Sequence, residues 1–464
     1  MIFCLFMEIT KAEKTSALIV ASIAAFLTPF MGSAVNVALP SLGDALGLDA
    51  LSLNWVSTVY LLAAAIFLLP LGRLADILGR KMIFLYGIVG YTIASLLCSL
   101  SVSFWMLIIF RILQGIGGAM IYATGVAIIS SVFSPGERGR ALGINVSAVY
   151  MGLSLGPFLG GLLTHYLGWR SVFWINVPLG MFVIGLVLWK LKHESKEAQG
   201  ETFDYFGSFV YALGLIALMY GFSQLPSNLG IVLVCVGVLG LVGFLFVESR
   251  QMHPLIEIKL FFHNRVFTFS NIAALINYST TFGIVFLISL YLQYVKGLSP
   301  QIAGLVLVAQ PVIMALVSPI AGRLSDTISP RAVASVGMGL SCVGLVFMYM
   351  LDSFSSLYSV VLGLVVVGLG FGLFSSPNMN AIMGSVSRKY FGVASATAAT
   401  MRLVGQTFSM GVVLILFALF IGKAAISSSP LMFLSSMKIA FLIFAILCFF
   451  GIFASLARGK SSDA

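Results

Sequence analysis

The chain has 464 residues, of which 60% are hydrophobic and only 9% charged, and its mean hydropathy is +1.10. That composition cannot keep a globular surface wet, so a water-soluble architecture is excluded and repeated crossing of a bilayer is required. The net charge of +10 is scattered over many short segments, which excludes a nucleic-acid surface as its explanation.

Taken in order, the first seven residues, MIFCLFM, are too short to span, and no small-residue cleavage site precedes the charged stretch Glu8–Lys14. No cleaved signal peptide is expected, and Met7 is a second candidate start beside Met1. Apolar runs then predict fourteen helical spans at 17–39, 53–72, 82–101, 105–131, 139–163, 171–190, 205–223, 230–247, 267–292, 301–320, 332–351, 358–377, 391–418 and 435–456. With the N-terminus in the cytoplasm, nineteen Lys and Arg residues fall on the inner side and four (Arg170, Lys296, Lys423 and Lys438) on the outer side, leaving Arg111 and Arg402 within spans. This asymmetry predicts cytoplasmic termini for a multi-pass protein of the cell membrane.

The second span runs into GRLADILGRK at 72–81, and the phrase returns, altered, as GRLSDTISPR at 322–331. Each copy reads as a charged hinge between two helices, so the chain is a duplicated bundle, an arrangement that points to transport. The copies are 250 residues apart, room for eight helices, where a plain six-plus-six duplication would place them roughly 180 apart at about 30 residues per span and loop. The predicted organisation is an N-terminal six-helix half at 1–190, an inserted helix pair with its linkers at 191–265, and a C-terminal six-helix half at 266–464.

Within the hinge, Gly72 and Gly79 permit a tight turn, and Asp76 can pair with basic residues or accept hydrogen bonds from the N-terminus of a neighbouring helix. Helix 4 carries RILQGIGGA (111–119), where Arg111 is a costly residue for a span, with Gln114 and Gly115 beside it. Helix 5 carries GLSLGPFLGG (152–161), in which Gly152, Gly156 and Gly160 form a smooth stripe and Pro157 favours a kink, with Gly161 following. The spacing of Gly139 to Gly152 recurs from Gly392 to Gly405, but Met410 stands where Pro157 would map.

Together with VNVALP at the end of helix 1 (35–40), these phrases resemble the fourteen-span drug:proton antiporter branch of the major facilitator superfamily, and the resemblance covers essentially the whole chain. It implies an all-α major facilitator fold and a multidrug efflux type of secondary transporter. It also implies a cytoplasmic latch in which Asp76, Arg80 and Lys81 are the charged parts, with Gly322, Asp326 and Arg331 in the second copy. The Arg111 position is linked in the family to proton exchange and substrate access, and the helix 5 phrase resembles the motif that separates exporters from importers. The plain alternatives are positive-inside charges at the hinge, small-residue packing at the stripe, and Arg111 snorkelling to the interface.

Asn36, Tyr60, Tyr122, Asn145, Tyr150, Asn277, Tyr278, Gln310, Asn378, Asn380 and Arg402 are candidates to line a cavity among many phenylalanines, or to act as glue between helices. One departure from the family stands out. Its members usually carry an aspartate shortly before the VNVALP-like phrase, where this chain has Met31 and Gly32, and none of the fifteen acids falls near a span centre. Proton coupling is therefore left open. The five cysteines lack paired spacing, the four histidines lack metal-ligand spacing, and Gly459-Lys460-Ser461 is not a complete phosphate loop. No metal, cofactor or enzymatic activity is expected. The expected partners are a small-molecule substrate, lipid and, undecided, protons, with the protein acting as a monomer. The rival readings are a carrier of a polar or anionic metabolite, drawn by Arg111 and Arg402, and a non-transporting sensor on the same fold.

Overall fold

The structure is a computed structural model that describes residues 10–48, 50–191, 194, 196–251, 254–256, 258–422 and 430–458. Met1, Cys4, Met7, Lys192, His193, His253, Lys423 and Lys460 lie outside the described residues. The described residues form fourteen helices long and apolar enough to cross a membrane. In chain order these are α1 (Lys11–Leu39), α2 (Trp55–Leu78), α3 (Arg80–Ser99), α4 (Phe104–Val132), α5 (Pro135–Leu167), α6 (Arg170–Lys190), α7 (Tyr205–Phe222), α8 (Asn228–Glu248), α9 (Arg265–Val295), α10 (Gln301–Thr327), α11 (Pro330–Tyr349), α12 (Leu357–Gly384), α13 (Arg388–Phe420) and α14 (Pro430–Leu456).

Local chemistry sets the helix ends. Thr10 opens α1 with a capping box closed by Glu13, and Ser103, Asp204, Ser227, Asn264, Ser299 and Ser356 each accept a bond from the first turn that follows them. The hinge expectation needs correction here. Helix α2 stays helical through Leu78, so Gly72 and Asp76 lie in a helix and only Gly79, at φ +124°, makes the turn into α3. The second copy is likewise helical through Thr327. An amphipathic last turn that packs on protein has no reason to unwind where the apolar run ends.

Apolar residues face two solvents. Phe84, Tyr91, Leu107 and Phe173 belong to a core built from α1–α6, and Tyr291, Phe371, Phe433 and Phe441 to one built mainly from α9–α14. A third cluster joins Leu68, Leu69, Tyr211, Phe244, Val393 and Leu403, which places the inserted pair α7/α8 against the seam of the two halves. Outward-facing Trp105, Trp189 and Leu239 meet lipid, as a bilayer-embedded bundle requires. Across the seam α5 packs on α10 and α2 on α13, while α7 touches both α2 and α13. Tyr211 shows that contact in detail: its hydroxyl lies 3.3 Å from the Ala65 carbonyl and 3.2 Å from Thr400 Oγ1.

Candidate functional site

The two halves are joined at one end of the bundle by a contact made twice. Asp76, fully buried, accepts from the backbone N–H groups of Gly392 (3.0 Å) and Val393 (3.1 Å), the first turn of α13 in the opposite half. Asp326 accepts from the N–H groups of Gly139 (2.7 Å) and Arg140 (2.8 Å), at the start of the second turn of α5. Each hinge phrase therefore supplies a carboxylate to the positive end of a helix in the other half, where bonds of this kind are strong and short.

Glycine makes the approach close enough. A Cβ on Gly72 would fall 2.7 Å from both the Gly392 carbonyl oxygen and the Ala396 Cβ. A Cβ on Gly322 would fall 2.9 Å from the Gly143 Cα, and it would overlap the Gly139 carbonyl as well. Only hydrogen side chains let these backbones touch.

The copies differ in their cations. Arg80 donates to Asp76 through Nε (2.9 Å) and Nη2 (2.7 Å), and it also reaches the Arg388 carbonyl across the seam. Arg331 does not reach Asp326, and among the described residues no acid pairs with it. Arg138 completes the second joint instead, donating to Asn380 Oδ1 (3.1 Å) and the Met383 carbonyl (3.3 Å). Asn380, expected as a cavity residue, thus sits in the joint, with its Nδ2 3.0 Å from Ser325 Oγ.

The structure lays the linker after α6 across the first hinge. Glu194 accepts from the Lys81 backbone N–H (3.0 Å), Ala198 N–H donates to the Asp76 carbonyl (3.1 Å), and Glu201 pairs with Arg73 of one half and Lys389 of the other. Burial alone would raise the Glu201 carboxyl, but the bonds from Lys389 and Arg73 outweigh it and hold it below the usual carboxylate range. A depressed carboxylate contributes its stability above the unfolded pKa and loses it as pH falls through the folded value, so this strap is charged at neutral pH and releases only in acid. Arg73, Arg138, Glu201 and Lys389 were missed as joint residues. Their one sequence signal is the positive-inside pattern, which gives a side of the membrane and no partner.

Arg111 does not snorkel. It is 1% exposed, donating through Nε to the Val56 carbonyl (2.9 Å) and through Nη1 to Gln114 Oε1 (2.6 Å), and it lies over the Tyr60 ring at 4.4 Å. Gln114 passes the chain on to Ser95 Oγ at 2.8 Å. Gly115 presses on α2, where a Cβ would come 2.6 Å from the Tyr60 carbonyl oxygen. The cluster ties α4 to α2 and α3 by a fork that lysine cannot copy. Arg111→Lys should therefore lower thermal stability in detergent by about 2 kcal/mol, the scale of a lost charged hydrogen bond. An unchanged melting temperature would contradict the assignment.

The helix 5 stripe has its partner in α1. Added Cβ atoms on Gly152, Gly156 and Gly160 would meet Phe26, Phe30, Ser33 and Ala34, while Gly161 has ordinary contact with Val37 at 3.6 Å. Helix α5 remains continuous across Pro157, and in the second half Gly405 abuts Leu275 and Ser279 of α9 in the same manner.

The remaining candidates separate into groups. Asn36 accepts from Ser57 (2.8 Å), Tyr60 serves the Arg111 cluster, and Asn145 and Asn277 are buried. Two pairs cross the seam within the membrane, Tyr150 with Ser375 Oγ at 2.5 Å and Tyr122 under the Arg402 guanidinium at 4.6 Å. The cation–π partner of Arg402 thus lies in the other half. Asp204 caps α7 through the Gly207 N–H (2.8 Å). Glu248, which drew no attention in sequence, ends α8 buried, with Oε2 3.3 Å from the Ile256 N–H and Oε1 turned to the same face of Gly207 as Asp204 Oδ2.

Two six-helix halves that meet at a duplicated joint, with a helix pair inserted between them, define a secondary transporter of the rocking type. The family model of the Major Facilitator Superfamily matches residues 21–410 and again 271–462, and the chain belongs to that superfamily. It is 33% identical over 402 residues to the riboflavin transporter RibZ of Clostridioides difficile (strain 630), a match covering 86% of this chain and 87% of that protein. To the multidrug resistance protein Stp of Mycobacterium tuberculosis (strain CDC 1551 / Oshkosh) it is 30% identical over 384 residues, covering 82% and 71%. Its fold is similar to that of the human organic anion transporter MFSD10 (TETRAN), with a TM-score of 0.68 at 14% identity over 97% of this chain and 99% of that one.

Proposed function

We propose that this protein exports amphipathic small molecules across the cell membrane by alternating access, as a monomer with both termini and the jointed end in the cytoplasm. The working units are residues 1–190 and 266–464, and 191–265 forms the inserted pair with its straps. The reading is supported above all by the doubled carboxylate-to-helix joint, a contact made for closing one end of a carrier and parting again. Similarity to the multidrug resistance protein Stp and to the tetracenomycin C resistance and export protein of Streptomyces glaucescens supports drug-like substrates and outward transport. In proteoliposomes holding the purified chain, an amphipathic dye should be moved faster than by empty vesicles, and absence of protein-dependent flux would end the reading. Cysteines introduced at Lys196 and Lys296 should label from opposite faces, and labelling from the same face would refute the orientation.

Coupling follows from where the acids lie. Each described carboxylate stands at or near a helix end, and Asp204 serves as a cap. Dye flux should therefore depend only modestly on an imposed pH gradient and should survive Asp204→Asn. Concentrative export that collapses with the gradient and vanishes in this variant would overturn the proposal of weak coupling.

A further inference from the structure

Among the described residues no anion pairs with Arg402, a cation in the middle of the membrane. It lies eleven residues past Phe391, about 16 Å along α13 at 1.5 Å per residue and so halfway through a core of about 30 Å. Phenols surround it, with the Tyr122 ring centroid 4.6 Å from its guanidinium carbon and Tyr278 and Tyr150 nearby. The ion pairs among the described residues all gather at the jointed end, and none includes Arg402.

A guanidinium held at that depth without a carboxylate is an unfavourable state that an arriving anion relieves. Arg402 can receive one. It keeps part of its surface open, as do Tyr122 and Tyr278, and none of its nitrogens is among the sealed, partnerless atoms. Arg458 is the contrast, since all three of its side-chain nitrogens are sealed without a partner. With one face of the guanidinium on the Tyr122 ring, the edge with its N–H groups is left for oxygen atoms, and the surrounding rings suit a flat aromatic body.

We propose that Arg402, at the seam of the two halves, selects planar aromatic anions and rejects cations of the same shape. This rests on the export reading and names the charge class of its substrates.

The test uses two xanthene dyes of opposite charge, fluorescein and rhodamine 6G, with the full-length protein. Binding is followed by fluorescence anisotropy in detergent, and flux is followed in proteoliposomes. Wild type should bind fluorescein at least tenfold more tightly than rhodamine 6G. Arg402→Gln should erase or invert that preference, and Arg402→Lys should keep its sign. Equal loss of both dyes in Arg402→Lys and Arg402→Gln, with monodisperse protein, would make Arg402 a structural clamp and overturn the proposal. Tighter binding of rhodamine 6G by wild type would overturn it too, as would binding of neither dye. Flux of rhodamine 6G that ignores Arg402 sinks the charge assignment alone, whereas absence of flux for every probe sinks the export reading with it.

Discussion

Gly322→Val should abolish transport while leaving a folded protein that cannot close at its jointed end. The new side chain would project into α5, where even a Cβ lies 2.9 Å from the Gly143 Cα and 3.0 Å from the Gly139 carbonyl carbon. Both obstacles are backbone, so no rotamer change removes the overlap and only parting of the halves relieves it. At about 3 kcal/mol, the upper range for overpacking, the closed population falls by roughly a hundredfold. The overlap is absent once α5 and α10 separate, so folding of each half is spared. Measuring dye flux together with thiol labelling of a cysteine introduced at Ser325 checks this: flux should vanish and labelling should rise. Wild-type flux, or protected labelling, would show that the two glycines need not touch during the cycle.

The two aspartates should behave differently when neutralised, and Asp76→Asn should do the greater damage. Asp326 holds the start of α5 and an asparagine and lies near Arg138, which keeps its own bonds to Asn380 and Met383, so Asp326→Asn weakens the closed state and slows turnover with a smaller change in melting temperature. Asp76 also pairs with Arg80, which is itself 1% exposed, so Asp76→Asn removes the carboxylate from a buried ion pair. Removing one partner of a buried pair costs about 3–5 kcal/mol. Asp76→Asn should therefore lower both expression and melting temperature as well as turnover. Parallel melting curves and flux assays on the two variants decide the matter, and equal melting temperatures would remove Arg80 from the account.

Features carried by local pattern were legible in the sequence. The fourteen spans follow from apolar length, the duplication from the repeated phrase, and the α5 stripe from glycines four residues apart. Asp76 was readable as an acceptor for a helix N-terminus, yet its donors, Gly392 and Val393, were not nameable, because a backbone N–H carries no side-chain signature and these lie more than 300 residues away. Arg111 was legible as a costly residue, but its acceptor is the Val56 carbonyl, which any residue could supply. Glu201 read as one more linker acid, since its two cations come from separate halves and converge only in three dimensions. Glu248 was hidden by its position at the end of an apolar run, where a charge normally marks the exit to water.

The reciprocal joint is also the geometry of a twofold dimer. In an isologous interface the same patch faces itself, so that part A of one copy meets part B of the other and the reverse. Here the carboxylate of each hinge phrase is one part and the N-terminal portion of α5 or α13 is the other, and every half owns both. Each six-helix half therefore carries both parts of a self-complementary contact. The two halves have since diverged inside that frame, with Arg80 kept beside one carboxylate and Arg138 recruited beside the other, so a symmetric contact now serves an asymmetric machine.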